Sequence, residues 1–220
     1  MSNLKEIQAC IFDLDGVIVD TAQYHFEAWK RLAHELGFDL TPEHVEKLKG
    51  IGRMETLDML LDMGNQTATK REKKQLAEIK NGWYRDLISK MQPKDLLPGV
   101  MDFFEELTEA HILIAIVSAS KNAPTIIRQV KVGRYLDALI DGSKITKSKP
   151  DPEIFLKAAE EMGIAPEHCL VFEDAQSGIE AAKNGGMRAI GVDSQKVLQN
   201  ADRLIPGLYD IDLEKLKTLE

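Results

Sequence analysis

Unbroken apolar runs punctuate the chain and end in polar residues of a particular kind. "IFDLDGVIVD" (11–20) closes its first run on Asp13 and Asp15, and a strand is predicted from Ile7 to Phe12. "ILIAIVSAS" (112–120) ends in serines and "CLVFEDA" (169–175) ends in Glu173 and Asp174; "LDALIDG" and "MRAIGVD" supply two further strands. Between these runs the apolar residues recur at three and four positions, as in amphipathic helices: "PGVMDFFEELTEA", "APTIIRQV", "DPEIFLKAAEEMG" and "SGIEAAKNGG". Strand alternating with helix is the pattern of a parallel sheet whose crossovers cover both faces.

One stretch breaks that alternation. From about residue 20 to 92 there are helical patterns and no strand. Residues 20–36 carry a stripe of Phe26, Trp29, Leu32, Ala33 and Leu36, stopped by Gly37. "TPEHVEKLKG" starts a second helix with Thr41 as cap and Pro42 at the first helical position. "METLDMLLDMG" is a third. "TKREKKQLAEIKNGWYRDLISKM" is a fourth, with an apolar side through Leu76, Ile79, Trp83 or Tyr84, Leu87 and Ile88. The expected architecture is therefore α/β: a Rossmann-like three-layer core of residues 1–18 and 93–220, with a parallel sheet and an all-helical cap domain, 19–92, inserted after the first strand.

Composition narrows the function classes. The 220 residues include 28 Lys and Arg against 36 Asp and Glu, a formal charge of -8. A nucleic-acid surface is not expected on such a chain, though a few local cations can still hold small anions. No apolar run approaches the ~20 residues a membrane span needs, and the start lacks the apolar stretch of a secretory signal. A cytoplasmic monomer without a nucleic-acid or membrane partner is expected. The two cysteines, Cys10 and Cys169, each enter an apolar run and read as buried, reduced thiols.

In open parallel sheets ligands sit beyond the carboxyl ends of the strands. Those ends here carry Asp13 and Asp15, Ser118 and Ser120, then Glu173 and Asp174, with Lys149 ahead of a helix between two strands. Several carboxylates aimed into one crevice repel one another unless a cation sits among them, and all-oxygen ligands suit Mg²⁺. Mg²⁺ in turn suits phosphate, and a carboxylate can attack phosphorus to form an aspartyl phosphate. Each residue also has a plainer role open to it. A lone strand-end Asp can close a turn, Ser118 or Glu173 can serve a helix start, Lys49 can complement a helix end, and Lys80 can lie on a solvated face. Trp29 and Trp83 are expected to pack within the cap.

Taken together, "DLDGVIVDTAQYHFEAWKRLAHELG", "LKGIGRMETL", "KNGWY", "SASKNAP", "KPDPEIF" and "FEDAQSGIEAAKNGG" resemble the haloacid-dehalogenase-like phosphotransferases, and within them the β-phosphoglucomutase family, over nearly the whole chain. The resemblance implies Asp13 as nucleophile and metal ligand, and Asp15 as general acid/base whose backbone carbonyl also reaches the metal. It implies Asp174 as a direct metal ligand and Glu173 as a ligand or close neighbour. Ser118 and Lys149 would hold the transferring phosphoryl group, and the loop of Ala119, Ser120, Lys121 and Asn122 would lie near the sugar. In the cap, His25, Lys49, Gly50, Arg53 and Lys80 match substrate and cap-closure positions, Arg53 gripping the phosphate that is not being transferred. The implied cofactors are Mg²⁺ and β-glucose 1,6-bisphosphate, the latter as priming phosphodonor and intermediate. The implied partner is a small phosphorylated sugar.

Met54, Glu55 and Thr56 depart from the family's acidic-then-serine pattern after the arginine, and Asp193 stands where a glycine is more usual. Two rivals remain: a phosphatase of sugar phosphates or other small phosphomonoesters on the same fold, and a non-catalytic protein that binds a phosphate ligand.

Overall fold

The computed structural model describes residues 7–41, 44, 52–195 and 197–217. The chain divides into two compact units, one of Met1–Asp20 with Met91–Glu220 and one of Thr21–Lys90.

The first unit is built on a parallel six-stranded sheet. Its strands are β1 (Ala9–Asp13), β2 (Leu113–Val117), β3 (Ala138–Ile140), β4 (Cys169–Glu173), β5 (Arg188–Val192) and β6 (Arg203–Ile205). Their order is β3-β2-β1-β4-β5-β6, so β1 is central and the chain crosses from one side of it to the other between β3 and β4. Alternate residues serve opposite faces. On one face Ala9, Ile11, Ala115, Val117 and Val171 pack with Ile154, Phe155 and Ala158 of α6 (Glu153–Met162) and Ile179 and Ala182 of α7 (Gln176–Asn184). On the other, Phe12 stacks on Phe172 at 4.6 Å and meets Phe103 and Phe104 of α4 (Val100–Glu109) edge-on or tilted. Helices on both faces explain why the strands read as continuous apolar runs rather than alternating ones. Cys10 and Cys169 are buried free thiols, and burial pushes the Cys169 thiol up to about 11, which keeps it protonated and unreactive.

The chain leaves and re-enters this unit at one point. Val19 bridges Leu96, and the Leu97 N–H donates to the Ile18 carbonyl at 2.9 Å. A short paired stem of this kind lets a large insertion be accommodated without disturbing the sheet.

Among its described residues the second unit is helical: α1 (Ala22–Glu35), α2 (Arg53–Met63) and α3 (Lys70–Ile88). Trp29, Leu32, Leu57, Leu60, Leu61 and Ala77 form its core. Thr69 opens α3 with a reciprocal cap: its hydroxyl accepts from the Glu72 N–H at 3.3 Å, and the Glu72 carboxylate accepts from the Thr69 N–H at 2.7 Å. The helix expected over "TPEHVEKLKG" lies outside the described residues except for Thr41 and His44.

Two details differ from the sequence expectation, and Asp193, to which the sequence assigns no role, gains one. The buried row of α3 is Ala77, Lys80, Asn81, Tyr84 and Ile88, so Ile79 faces solvent at 45% exposure instead of joining the core. β6 and a short C-terminal helix, α8 (Leu213–Lys217), were not expected; three and five residues are too short for a period to show. Asp193 is a loop organiser, its carboxylate accepting from the N–H groups of Gln195, Val197 and Leu198 at 2.6–2.9 Å. The remaining helix, α5 (Ala123–Val130), follows the serine-bearing loop after β2.

Candidate active site

The crossing point beside β1 is where an open α/β sheet leaves a crevice. Asp13 is the last residue of β1, Ser118 follows β2 directly, and Glu173 and Asp174 sit at the end of β4. Parallel pairing aligns the three strand ends, so four residues from three segments far apart in sequence converge.

After Asp13 the chain does not continue extended. The Gly16 N–H donates to the Val19 carbonyl at 2.7 Å and those of Ile18 and Val19 to Leu14, a tight loop that requires φ of +90° at Gly16. A Cβ at Gly16 would also fall on the Asp174 carboxylate, and one at Gly178 on that of Glu173. Both glycines therefore make room for the acids.

The loop turns the Asp15 N–H onto Asp13 Oδ2 at 2.9 Å. Lys149 Nζ bonds Asp13 Oδ1 and, at 2.6 Å, Glu173 Oε2, and the same nitrogen lies 5.1 Å from the Phe155 ring centroid. Both Asp13 oxygens are thus held. The Ser118 hydroxyl donates to Asp15 Oδ2 at 3.3 Å and accepts from the Ser120 N–H at 3.1 Å, and the Ser120 hydroxyl accepts from the Asn122 N–H at 3.2 Å. Ser118 and Asn122 are buried, while Ala119 and Lys121 are exposed. Side chains after β2 therefore form a linked series running from Asp15 to the start of α5.

The electrostatics are those of crowded acids around one cation. Burial, reinforced by the Asp13 charge, pushes Glu173 up to about 8, and burial followed by Asp13 pushes Asp174 up to about 6. For Lys149 burial opposes the charge, but the carboxylates of Asp13 and Glu173 outweigh it and hold the ammonium above its usual range. One lysine does not balance three carboxylates. Asp13, Glu173 and Asp174 each present an oxygen, all within 4.8 Å of one another. Oxygen ligands alone, in surplus of negative charge, fit a hard divalent cation such as Mg²⁺.

In the cap unit the expected residues His25, Arg53 and Lys80 come together; Lys49 and Gly50 lie outside the described residues. His25 and Trp29 are one turn apart on α1, and Lys80 and Tyr84 one turn apart on α3. Lys80 Nζ shares a hydrogen bond with His25 Nδ1 at 2.9 Å and sits 4.4 Å from the Trp29 ring centroid and 5.1 Å from that of Tyr84. His25 stacks on Tyr84 with centroids 4.0 Å apart. Lys80 is only 2% exposed, contrary to a solvated face. Burial and then Arg53 lower its pKa to about 7, and burial, Lys80 and Arg53 lower that of His25 to about 3. Trp29 does more than pack: its ring face offsets part of the cost of burying a cation.

Burial of Lys80 has a stability consequence. The unfolded chain keeps the Lys80 proton up to pH 10.5, whereas the folded protein releases it near 7. The cost, on the order of a few kcal/mol, is full below pH 7 and fades as pH rises toward 10.5. Lys80→Met should therefore raise the melting temperature at pH 7 by at least about 2 °C, with the gain shrinking at pH 10. An equal or lower melting temperature at both pH values would contradict it.

A family model of the haloacid dehalogenase-like hydrolases matches residues 10–192, a span that runs from β1 through the inserted unit to β5. The chain belongs to this family. Its relatives include a β-phosphoglucomutase of Bacillus subtilis (strain 168), 42% identical over 96% of this chain and 94% of that protein. A "phosphorylated carbohydrates phosphatase" of Thermotoga maritima is 30% identical over 84% of each. The crystal structure of a Clostridium difficile β-phosphoglucomutase aligns with a TM-score of 0.87 at 38% identity, covering 97% of this chain and 96% of that one. Sequence reasoning missed Gly178, whose role shows only in contact, and Glu78, whose carboxylate meets Arg53 Nη1 at 3.4 Å across α2 and α3.

Proposed function

We propose that this protein is a β-phosphoglucomutase, interconverting β-D-glucose 1-phosphate and glucose 6-phosphate through an aspartyl-phosphate enzyme and β-glucose 1,6-bisphosphate. The observation that carries this is that the core unit holds a phosphoryl-transfer set while the cap unit, taken by itself, holds a separate cationic group in Arg53 and Lys80. A bisphosphate has two ends to hold; a simple phosphomonoester has one. The likeness to β-phosphoglucomutases along both units supports the same assignment.

In this scheme the phosphorylated Asp13 gives its phosphoryl group to the C6 hydroxyl of β-glucose 1-phosphate. The P–O bond to Asp13 breaks as the P–O6 bond forms, and Asp15 takes the hydroxyl proton. The bisphosphate then presents its other end. Asp13 attacks the C1 phosphate, the P–O1 bond breaks, and Asp15 returns the proton to O1, leaving glucose 6-phosphate and the phosphorylated enzyme. Ser118 and Lys149 hold the transferring group, and Asn122 and the Ala119–Ser120–Lys121 backbone line the sugar side. Asp13, the Asp15 carbonyl and Asp174 would hold Mg²⁺, with Glu173 as ligand or neighbour. When bound, the ion offsets negative charge on the phosphoryl oxygens. Arg53 takes the second phosphate, a guanidinium fork matching phosphate oxygens in pairs. An arriving dianion favours the protonated form of Lys80. The cytoplasm, a monomeric state and the absence of nucleic-acid and membrane partners complete the proposal; no helix among the described residues is long and apolar enough to cross a membrane.

Arg53→Ala tests the division of labour. It should raise KM for β-glucose 1-phosphate and cut its conversion by about 10²-fold or more, while lowering hydrolysis of acetyl phosphate, which has no second charged end, by less than about threefold. Equal losses on both substrates would favour a phosphatase for small phosphomonoesters.

A further inference from the structure

The cap cations have a carboxylate of their own. Arg53 opens α2, and its guanidinium reaches Glu78 on α3, Nη1 to Oε1, at 3.4 Å. Glu78 is two residues from the buried Lys80, but on the outer side of the helix, with its side chain 66% exposed. Arg53, 36% exposed, bears electrostatically on both Lys80 and His25, lowering the affinity of each for protons. Glu78 is therefore an anion placed on the most strongly basic member of this cluster.

The contact is suited to exchange rather than to permanence. At 3.4 Å it is a single, long hydrogen bond, not a paired fork, and both partners are wet enough for water to compete. A phosphate offers near two charges and two oxygens to the same fork; a carboxylate or a sulfate ester offers one charge. Helix stitching explains the pair less well, because α2 and α3 already carry a tighter cross-link, Asp58 to Lys73 at 2.6 Å.

We propose that Glu78 is a positioning residue for substrate binding: a resident anion that occupies Arg53 until an anionic group of the substrate displaces it, and so weakens by a common factor every ligand that must take Arg53. This rests on the assignment of Arg53 to the second phosphate. Glu78 touches no reacting atom; it acts through Arg53.

The test is kinetics on the full chain with Mg²⁺, comparing the parent with E78Q, R53A, R53A/E78Q and, as a control for helix stitching, D58N. Substrate is β-glucose 1-phosphate, and glucose 6-sulfate serves as monoanionic inhibitor. E78Q should lower KM about three- to tenfold with kcat unchanged within twofold, and should lower the inhibition constant of glucose 6-sulfate by about the same factor. D58N should leave KM unchanged, and E78Q should have no effect on KM in the R53A background. If R53A raises KM but E78Q leaves it unchanged or raises it, the role of Glu78 is overturned and the assignment of Arg53 stands. An equal effect of E78Q with and without Arg53 also overturns it, since Glu78 would then be a general negative charge. If R53A itself leaves KM unchanged, the assignment of Arg53 fails and the role of Glu78 with it.

Discussion

Asp13→Asn should abolish mutase turnover, by at least about 10⁴-fold, in a protein that still folds. The change is nearly isosteric and sits at the end of a fully buried strand. Asparagine keeps one oxygen, which still accepts from the Lys149 ammonium while the bond from the Asp15 N–H is lost, and Lys149 retains Glu173. What is lost is the carboxylate that would attack phosphorus, and loss of a nucleophile typically costs several orders of magnitude. Intact mass after incubation with β-glucose 1,6-bisphosphate should show a phosphorylated fraction for the parent and none for the variant. Turnover within about tenfold of the parent, or the same phosphorylated fraction in the variant, would remove Asp13 from the mechanism.

Lys149→Met should damage both stability and activity. Lys149 is the cation between Asp13 and Glu173, two acids nearly closed off from solvent. Removing one partner of a buried ion pair leaves an uncompensated charge and typically costs about 3–5 kcal/mol. For a chain of this size that is a fall in melting temperature of roughly 6–20 °C in Mg²⁺-free buffer. The sign of the pH dependence follows from Glu173, which is pushed up to about 8 even with Lys149 present. Its folded form binds protons more readily than the unfolded chain, whose carboxyl titrates at 4.5, so its ionisation cost is absent below 4.5 and grows as pH rises through 8. Without the ammonium that cost grows further. The deficit of Lys149→Met should therefore be largest near pH 8 and shrink toward pH 5. Turnover should fall by about 10²-fold or more, the scale of losing one charge that stabilises a transferring phosphoryl group. A melting temperature within about 1 °C of the parent at pH 8, or a deficit that grows on acidification, would contradict this.

The core site was legible because strand ends leave little freedom. An apolar run that stops on Asp13 and Asp15, and another that stops on Glu173 and Asp174, must bring those acids to one edge once the strands pair in parallel. Ser118 follows by the same reasoning. The pattern places Lys149 only ahead of a helix between two strands, and its role comes from the family's pattern and not from periodicity. In the cap, periodicity misled. Hydropathy assigns a lysine to the outside of a helix and an isoleucine to the inside, whereas α3 buries Lys80 and exposes Ile79. What reverses the rule is a histidine and a tryptophan from α1, some fifty residues earlier, which supply a hydrogen bond and a ring face. The Arg53–Glu78 pair is invisible for the same reason: it depends on how α2 lies against α3.

In a mutase, phosphate leaves one carbon of a sugar and arrives on another with little loss to water. Phosphorus NMR of the parent with β-glucose 1-phosphate, Mg²⁺ and a trace of β-glucose 1,6-bisphosphate reads both fates in one tube. A mutase gives glucose 6-phosphate in at least about hundredfold excess over free phosphate, with the bisphosphate signal maintained while substrate remains. Free phosphate appearing as fast as glucose 6-phosphate, or in its place, would make the protein a sugar-phosphate phosphatase.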